Sequence, residues 1–154
     1  MKTALLTVAV ISTAAILGCS ESASHISDLV FGKYVKVTED RYEIVTARTF
    51  VAGDAYGWVA MVKPSSGYVK FREVYELPAP MKHIEKSTGK HKVTVSNDGK
   101  LITVEGEIEG GSNVLGNSSW TVEESDPSGS YTMTLSLNNK EVQRFTYSVN
   151  ATGR

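Results

Sequence analysis

Tyr131-Thr132-Met133-Thr134-Leu135-Ser136-Leu137-Asn138-Asn139-Lys140 decides the fold class. Its large apolar side chains fall at every second position, with hydroxyl residues between them, so an extended strand puts one face in a core and the other in water. Asn138 and Asn139 tolerate the left-handed backbone of a tight turn, and the alternation resumes at Phe145, Tyr147 and Val149. This is a terminal β-hairpin. Val142 is out of phase with Phe145, which predicts a bulge between them. Upstream, Asn97-Asp98-Gly99 joins Val93-Thr94-Val95 to Leu101-Ile102-Thr103-Val104 and signals a second hairpin. Further strands are predicted at Tyr34 to Val37, Tyr42 to Thr46, Tyr56 to Val62, Val69 to Leu77 and Ser119 to Val122. No segment sustains helical periodicity over about ten residues, although Met81 and Ile84 would support one turn. About seven short strands separated by turn residues describe an all-β antiparallel sandwich, expected to be immunoglobulin-like.

The N-terminus reads differently. Met1-Lys2 is a short positive region, and Ala4 to Leu17 is an apolar run of fourteen residues interrupted only by Thr7, Ser12 and Thr13. A membrane span needs about 20 apolar residues, so this run reads as the core of a secretory signal. It ends in Ile16-Leu17-Gly18-Cys19, which resembles the lipobox of bacterial lipoproteins. The resemblance implies cleavage after Gly18 and a diacylglycerol thioether on Cys19, with Leu17 bulkier than the residue usual at its place. Cys19 is the sole cysteine of the chain, so it has no internal disulfide partner. Two or three acyl chains, at about 0.8 kcal/mol per buried methylene, would hold the protein on a membrane. In lipoproteins an aspartate after the cysteine favours inner-membrane retention; Ser20 stands there, so in a Gram-negative envelope the resemblance implies the outer membrane, facing the periplasm.

Residues 1–18 are therefore expected to be a signal peptide, 19–28 a lipidated cysteine and tether, and 29–154 one domain. Ser20 to Ser27 is small and polar, and spans at most about 26 to 29 Å when extended. Removing eighteen residues from 154 leaves 136, ample for one core without disulfides. Without Lys2 the sixteen basic residues become fifteen against seventeen acidic ones, a net of −2. Nothing in that balance suggests a nucleic-acid partner, which would call for a basic stripe, and none is expected.

Several segments together resemble a bacterial domain family of unknown function. They are Tyr42-Glu43-Ile44, Phe50-Val51-Ala52-Gly53 with Gly57, Pro78-Ala79-Pro80, Trp120, Asp126-Pro127-Ser128-Gly129-Ser130-Tyr131 and Phe145-Thr146-Tyr147-Ser148-Val149. Members of that family end in a Pro-Gly-x-aromatic strand and a closing Phe-Thr-Val strand. Ser128 separates Pro127 from Gly129 here. The likeness runs from Tyr42 to Val149 and implies an immunoglobulin-like fold but no activity.

Catalytic signatures are absent from the sequence. There is no Gly-x-Ser-x-Gly elbow, phosphate loop or His-Glu-x-x-His, and His25, His83 and His91 lack the close spacing of metal ligands. No cofactor, metal or catalytic residue is expected. Three features have both a structural and a functional reading. Glu105, Glu107 and Glu109 form either the solvent face of a half-buried strand or an acidic comb. Lys82, His83, Lys86, Lys90, His91 and Lys92 form either a solvated loop or a surface for anionic lipid or glycolipid phosphates. Trp58 and Trp120 belong to a sandwich core or to a sugar-stacking surface; the core is expected. The reading that emerges is a noncatalytic envelope module that binds or scaffolds, with Cys19 as lipid attachment and Lys82, Lys86, Lys90, His91 and Lys92 as candidate surface contacts. Its alternative is a carboxylate-dependent hydrolase using Asp54, Asp126 and the glutamate comb. If Cys19 carries the lipid, Cys19→Ser leaves the precursor uncleaved and moves it between membrane fractions. Mass spectrometry and fractionation check this, and an unchanged mass and partition would refute the anchor.

Overall fold

In the computed structural model, residues 26–38, 41–62, 67–81, 84, 91–109 and 114–152 are described. Ten strands lie among them: β1 (Ile26–Thr38), β2 (Arg41–Thr46), β3 (Thr49–Val51), β4 (Ala55–Val62), β5 (Tyr68–Glu76), β6 (Lys92–Val95), β7 (Leu101–Glu109), β8 (Val114–Thr121), β9 (Gly129–Leu137) and β10 (Lys140–Asn150). They form a four-stranded sheet of order β2-β1-β4-β8 and a six-stranded sheet of order β3-β10-β9-β5-β7-β6. The expected sandwich is present, with ten strands where about seven were expected. Nine of the ten coincide with segments read from the sequence, and two differences from that reading stand out. β3 is only three residues long, too short to show a period, and it pairs parallel with Ser148 to Asn150 of β10 in an otherwise antiparallel structure. β1 starts at Ile26, so Ile26 to Asp28, which the sequence reads as tether, already pair with β4. Met81 and Ile84 form no helix and pack against the core instead.

Both turns behave as their residues dictate. Asn138 and Asn139 adopt φ of 49° and 64°, closing the β9–β10 hairpin. The register then slips between Glu141 and Gln143, which makes Val142 the bulged residue and returns Phe145 to the inner face. At the β6–β7 turn Gly99 has φ of 69°, and Asp98 accepts from the Ser96 hydroxyl and the Lys100 amide, so the side chain locks the loop that the glycine permits.

Between the sheets lies an aromatic core. Phe31, Phe50 and Trp58 are fully buried, each contributing about 1.5 to 3 kcal/mol by leaving water. Phe31 stacks on Phe145 at 4.8 Å, Phe50 on Tyr56 at 4.7 Å, and Tyr131 on Tyr147 at 5.5 Å. The Arg48 guanidinium closes this cluster from one side, 5.3 Å from the Phe145 ring centre. Tyr131, at the start of β9, donates its hydroxyl to the Pro127 carbonyl at 2.7 Å, a tyrosine corner that fixes the approach to the strand. Tyr131→Phe removes only that bond and should lower stability by about 0.5 to 1.5 kcal/mol. Tyr131→Ala also opens a cavity and should cost about 3 to 5 kcal/mol; chemical denaturation of the pair separates the two contributions.

Candidate functional site

β5 carries the residues that organise both faces of the larger sheet. Val69, Phe71, Glu73 and Tyr75 point inward and are buried, while Tyr68, Lys70 and Arg72 alternate with them on the solvent side. The register sets Tyr68 opposite Glu109, Lys70 opposite Glu107 and Arg72 opposite Glu105, and Lys92 of β6 faces Glu105 from the other side. The glutamate row is thus the solvent face of its strand: Glu105 lies between Arg72 and Lys92, Glu107 beside Lys70, and Glu109 beside Tyr68. Arg72 Nε is 3.5 Å from Glu105 Oε1, with both side chains about half exposed, so this pair contributes less than about 1 kcal/mol. Asn138 anchors the adjoining turn, donating its amide to the Lys70 carbonyl and accepting the Lys70 amide at Oδ1.

Lys70, Arg72, Lys92, Glu105, Glu107 and Asn139 line an open groove of about 310 Å³ on this face. Three cations face two carboxylates there, and Tyr68, 66 % exposed, continues the β5 row beyond them. The arrangement offers charge and hydrogen bonds to a polar ligand. Of the sequence-predicted contacts, Lys92 belongs to the groove, while Lys82, Lys86 and Lys90 lie outside the described residues, as does Cys19. His91 faces the other way. Its ring meets Phe71 edge-on at 5.2 Å, above Gly106, where an added Cβ would approach the Phe71 and His91 rings to 2.7–2.8 Å. Glycine there lets the histidine cover the core, so His91 packs on the fold instead of being a solvated loop residue. Lys70 and Arg72 were missed by the sequence reading, yet period two on Val69-Lys70-Phe71-Arg72 already turns them outward.

The carboxylates of the hydrolase reading are bound into the fold. The Asp54 amide donates to the Val51 carbonyl while Asp54 Oδ2 accepts the Val51 amide at 3.0 Å, and Lys33 Nζ pairs with Oδ1. Asp126 repeats this reciprocal clasp with Glu123, at 3.1 and 3.0 Å. The two turns adjoin, since the Asp54 carbonyl accepts the Val122 amide. Among the described residues no three His, Cys, Asp or Glu side chains gather as a metal site would require.

Glu73 is the residue the sequence reading overlooked most. It is fully buried and accepts Trp58 Nε1–H at 2.6 Å and the Tyr75 hydroxyl at 2.8 Å. Trp58 is thereby a core residue, as expected, and Trp120 packs half-buried with its ring edge-on to Tyr75 at 5.3 Å. Neither tryptophan is displayed for sugar stacking. Burial first, and the Glu73 charge second, raise the Tyr34 and Tyr75 phenols above their ordinary value of 10.0. Burial likewise leads in raising Tyr56, Tyr131 and Tyr147. A phenol raised in the folded state binds its proton where the unfolded chain has lost it, so its contribution to stability is complete below pH 10 and is lost as pH rises beyond. Phenolate absorbance of these five tyrosines should therefore appear only together with cooperative unfolding in alkali. Reversible titration of all five with the circular dichroism unchanged would contradict their burial.

Comparison with known proteins agrees with this architecture. A family model described as the PM0630 beta sandwich domain matches residues 29–150. A solved immunoglobulin-like protein from Pseudomonas aeruginosa superposes with a TM-score of 0.53 at 11% identity, covering 84% of this chain and 100% of its own. No curated protein matches the chain. At that identity the structural likeness concerns the fold alone, which is an immunoglobulin-like β-sandwich. With its model matched from β1 to the end of β10, the chain belongs to the PM0630 beta sandwich domain family.

Proposed function

We propose that the protein is a lipid-anchored module of the bacterial cell envelope that acts by binding instead of catalysis, and that the groove face of the six-stranded sheet meets anionic groups at the membrane. One observation carries the reading of the face: Lys70, Arg72 and Lys92 line one open groove against two glutamates, an excess of positive charge on a chain whose total is slightly negative. The anchor itself rests on the lipobox and Cys19. A domain tethered within about 30 Å of a bilayer stays beside anionic headgroups, so weak charge contacts act at high local concentration. The noncatalytic part is supported by Asp54 and Asp126, whose carboxylates each hold a turn, and by Glu105, which faces Arg72 and Lys92. The partner class is anionic glycolipid or phospholipid, or an envelope protein that presents the same charge.

Each lysine or arginine near an anionic surface contributes about 1 kcal/mol, or roughly fivefold in partition, and salt screens it. Wild-type domain should cosediment with vesicles containing anionic phospholipid or lipopolysaccharide more than with neutral ones, and less at moderate salt. Reversing Lys70, Arg72 and Lys92 to glutamate should abolish that difference without unfolding the sheet, because exposed charges add little stability. Reversing Lys82, Lys86, Lys90 and Lys92 tests the neighbouring segment in the same assay. If wild type and both variants sediment alike, the groove face is only a solvated surface.

A further inference from the structure

The β1–β2 hairpin reaches beyond the sandwich. Pairing between β1 and β4 ends at Lys33 opposite Tyr56, whereas pairing between β1 and β2 continues to Thr38 opposite Arg41. Tyr34 to Thr38 thus has β2 as its strand partner among the described residues, and the two strands form an arm. Eight large hydrophobic residues are exposed among the described ones, and four of them lie on these two strands: Val35, Val37, Tyr42 and Val45. Among the described residues β2 ends its sheet, and its six residues contain no proline. The ends of the other sheet, β3 and β6, are three and four residues long and so offer little edge.

From this edge we infer that two copies of the chain pair β2 to β2, antiparallel, with Tyr42 facing Tyr42 on the symmetry axis. Symmetry limits the choice of register. A twofold axis that continues a sheet through antiparallel edges must pass through one residue position, because only then do facing side chains share a face. Glu43 on the axis sets two carboxylates against each other, and Ile44 is already buried within its own copy. Tyr42 on the axis puts each Arg41 opposite the Glu43 of the second copy. Arg41 Nη2 already lies 2.6 Å from Glu43 Oε1 within one copy, so pairing extends this bridge into a ring of four alternating charges. The same step covers Tyr42 and gives the free edge of β2 backbone partners. The contact is small, so its affinity is modest, as expected below about 1,200 Å² of buried surface.

Cysteine crosslinking of the full chain in a Cys19→Ser background tests the register. Tyr42→Cys brings two directly opposed positions within disulfide reach, about 4.5 to 5.5 Å between Cα atoms. It should yield a disulfide-linked dimer under mild oxidation at least about fivefold faster than Tyr68→Cys, a control in which the thiol stands on the exposed groove face. Arg41→Glu, added to Tyr42→Cys, should slow the crosslink to the control rate, and adding Glu43→Arg as well should restore it. Circular dichroism verifies that each variant is folded. Crosslinking of Tyr42→Cys no faster than the control overturns the proposal. So does faster crosslinking of Glu43→Cys or Ile44→Cys, or failure of the double charge exchange to restore the rate.

Discussion

The carboxyl group of Glu73 holds the two sheets in one arrangement. Trp58, which donates to it, belongs to β4 of the smaller sheet, whereas Glu73 and Tyr75 belong to β5 of the larger. In antibody domains a disulfide packed on a tryptophan ties the sheets together. Here the sole cysteine is Cys19, far from the core in sequence, and a hydrogen-bonded Trp-Glu-Tyr cluster spans the interface instead. Hydrophobic packing alone would tolerate sliding of one sheet over the other. A buried acid does not, because each displaced donor loses about 1 to 3 kcal/mol with no water to replace its partner.

The aromatic packing follows from that tie. Phe71, one turn of the pleat from Glu73, meets Trp58 edge-on at 6.3 Å, and Tyr75 meets Trp120 from the other side. At the far end Tyr56 and Tyr147 approach hydroxyl to hydroxyl at 3.4 Å, so these two buried phenols are paired with each other. The paired aspartate turns at Val51–Asp54 and Glu123–Asp126 then fix the segments that enter β4 and leave β8. These acids are consumed by architecture.

Local signals in the sequence carried the parts of this fold that local chemistry decides. The Asn138-Asn139 turn, the bulge at Val142 and the Asn97-Asp98-Gly99 hairpin were legible because positive φ and period two are properties of a few adjacent residues. The start of β1 was not, since Ile26-Ser27-Asp28 takes its extended form from β4, distant in sequence. The parallel β3 was hidden for the same reason. Glu73 was visible in principle: Val69, Phe71, Tyr75 and Leu77 are apolar at alternate positions, and a glutamate in that row must either break the strand or be buried with partners. Its donors come from Trp58 and Tyr75, and no single-strand pattern names Trp58. The groove has a similar history, since the glutamates were seen as a comb while the cations beside them arrive by cross-strand register.

With the core closed around Glu73, any recognition by this domain would fall to its faces and edges. The groove lies on the solvent side of the six-stranded sheet, and the β2 edge terminates the four-stranded one. The two surfaces share no residue and no strand. Substitutions that far apart, without common partners, act additively to within about 0.5 kcal/mol. If β2 pairs as inferred, charge reversal in the groove should leave that pairing unchanged, and charge exchange on β2 should leave the groove unchanged. Pairing would still matter for a surface-bound domain: two copies joined through β2 would present two grooves, and the second contact would become intramolecular once the first is made. Avidity of that kind raises a weak charge-driven contact by orders of magnitude without any new interaction, provided that both grooves reach the same surface. On these two proposals a modest edge contact and a modest charged groove would reinforce each other.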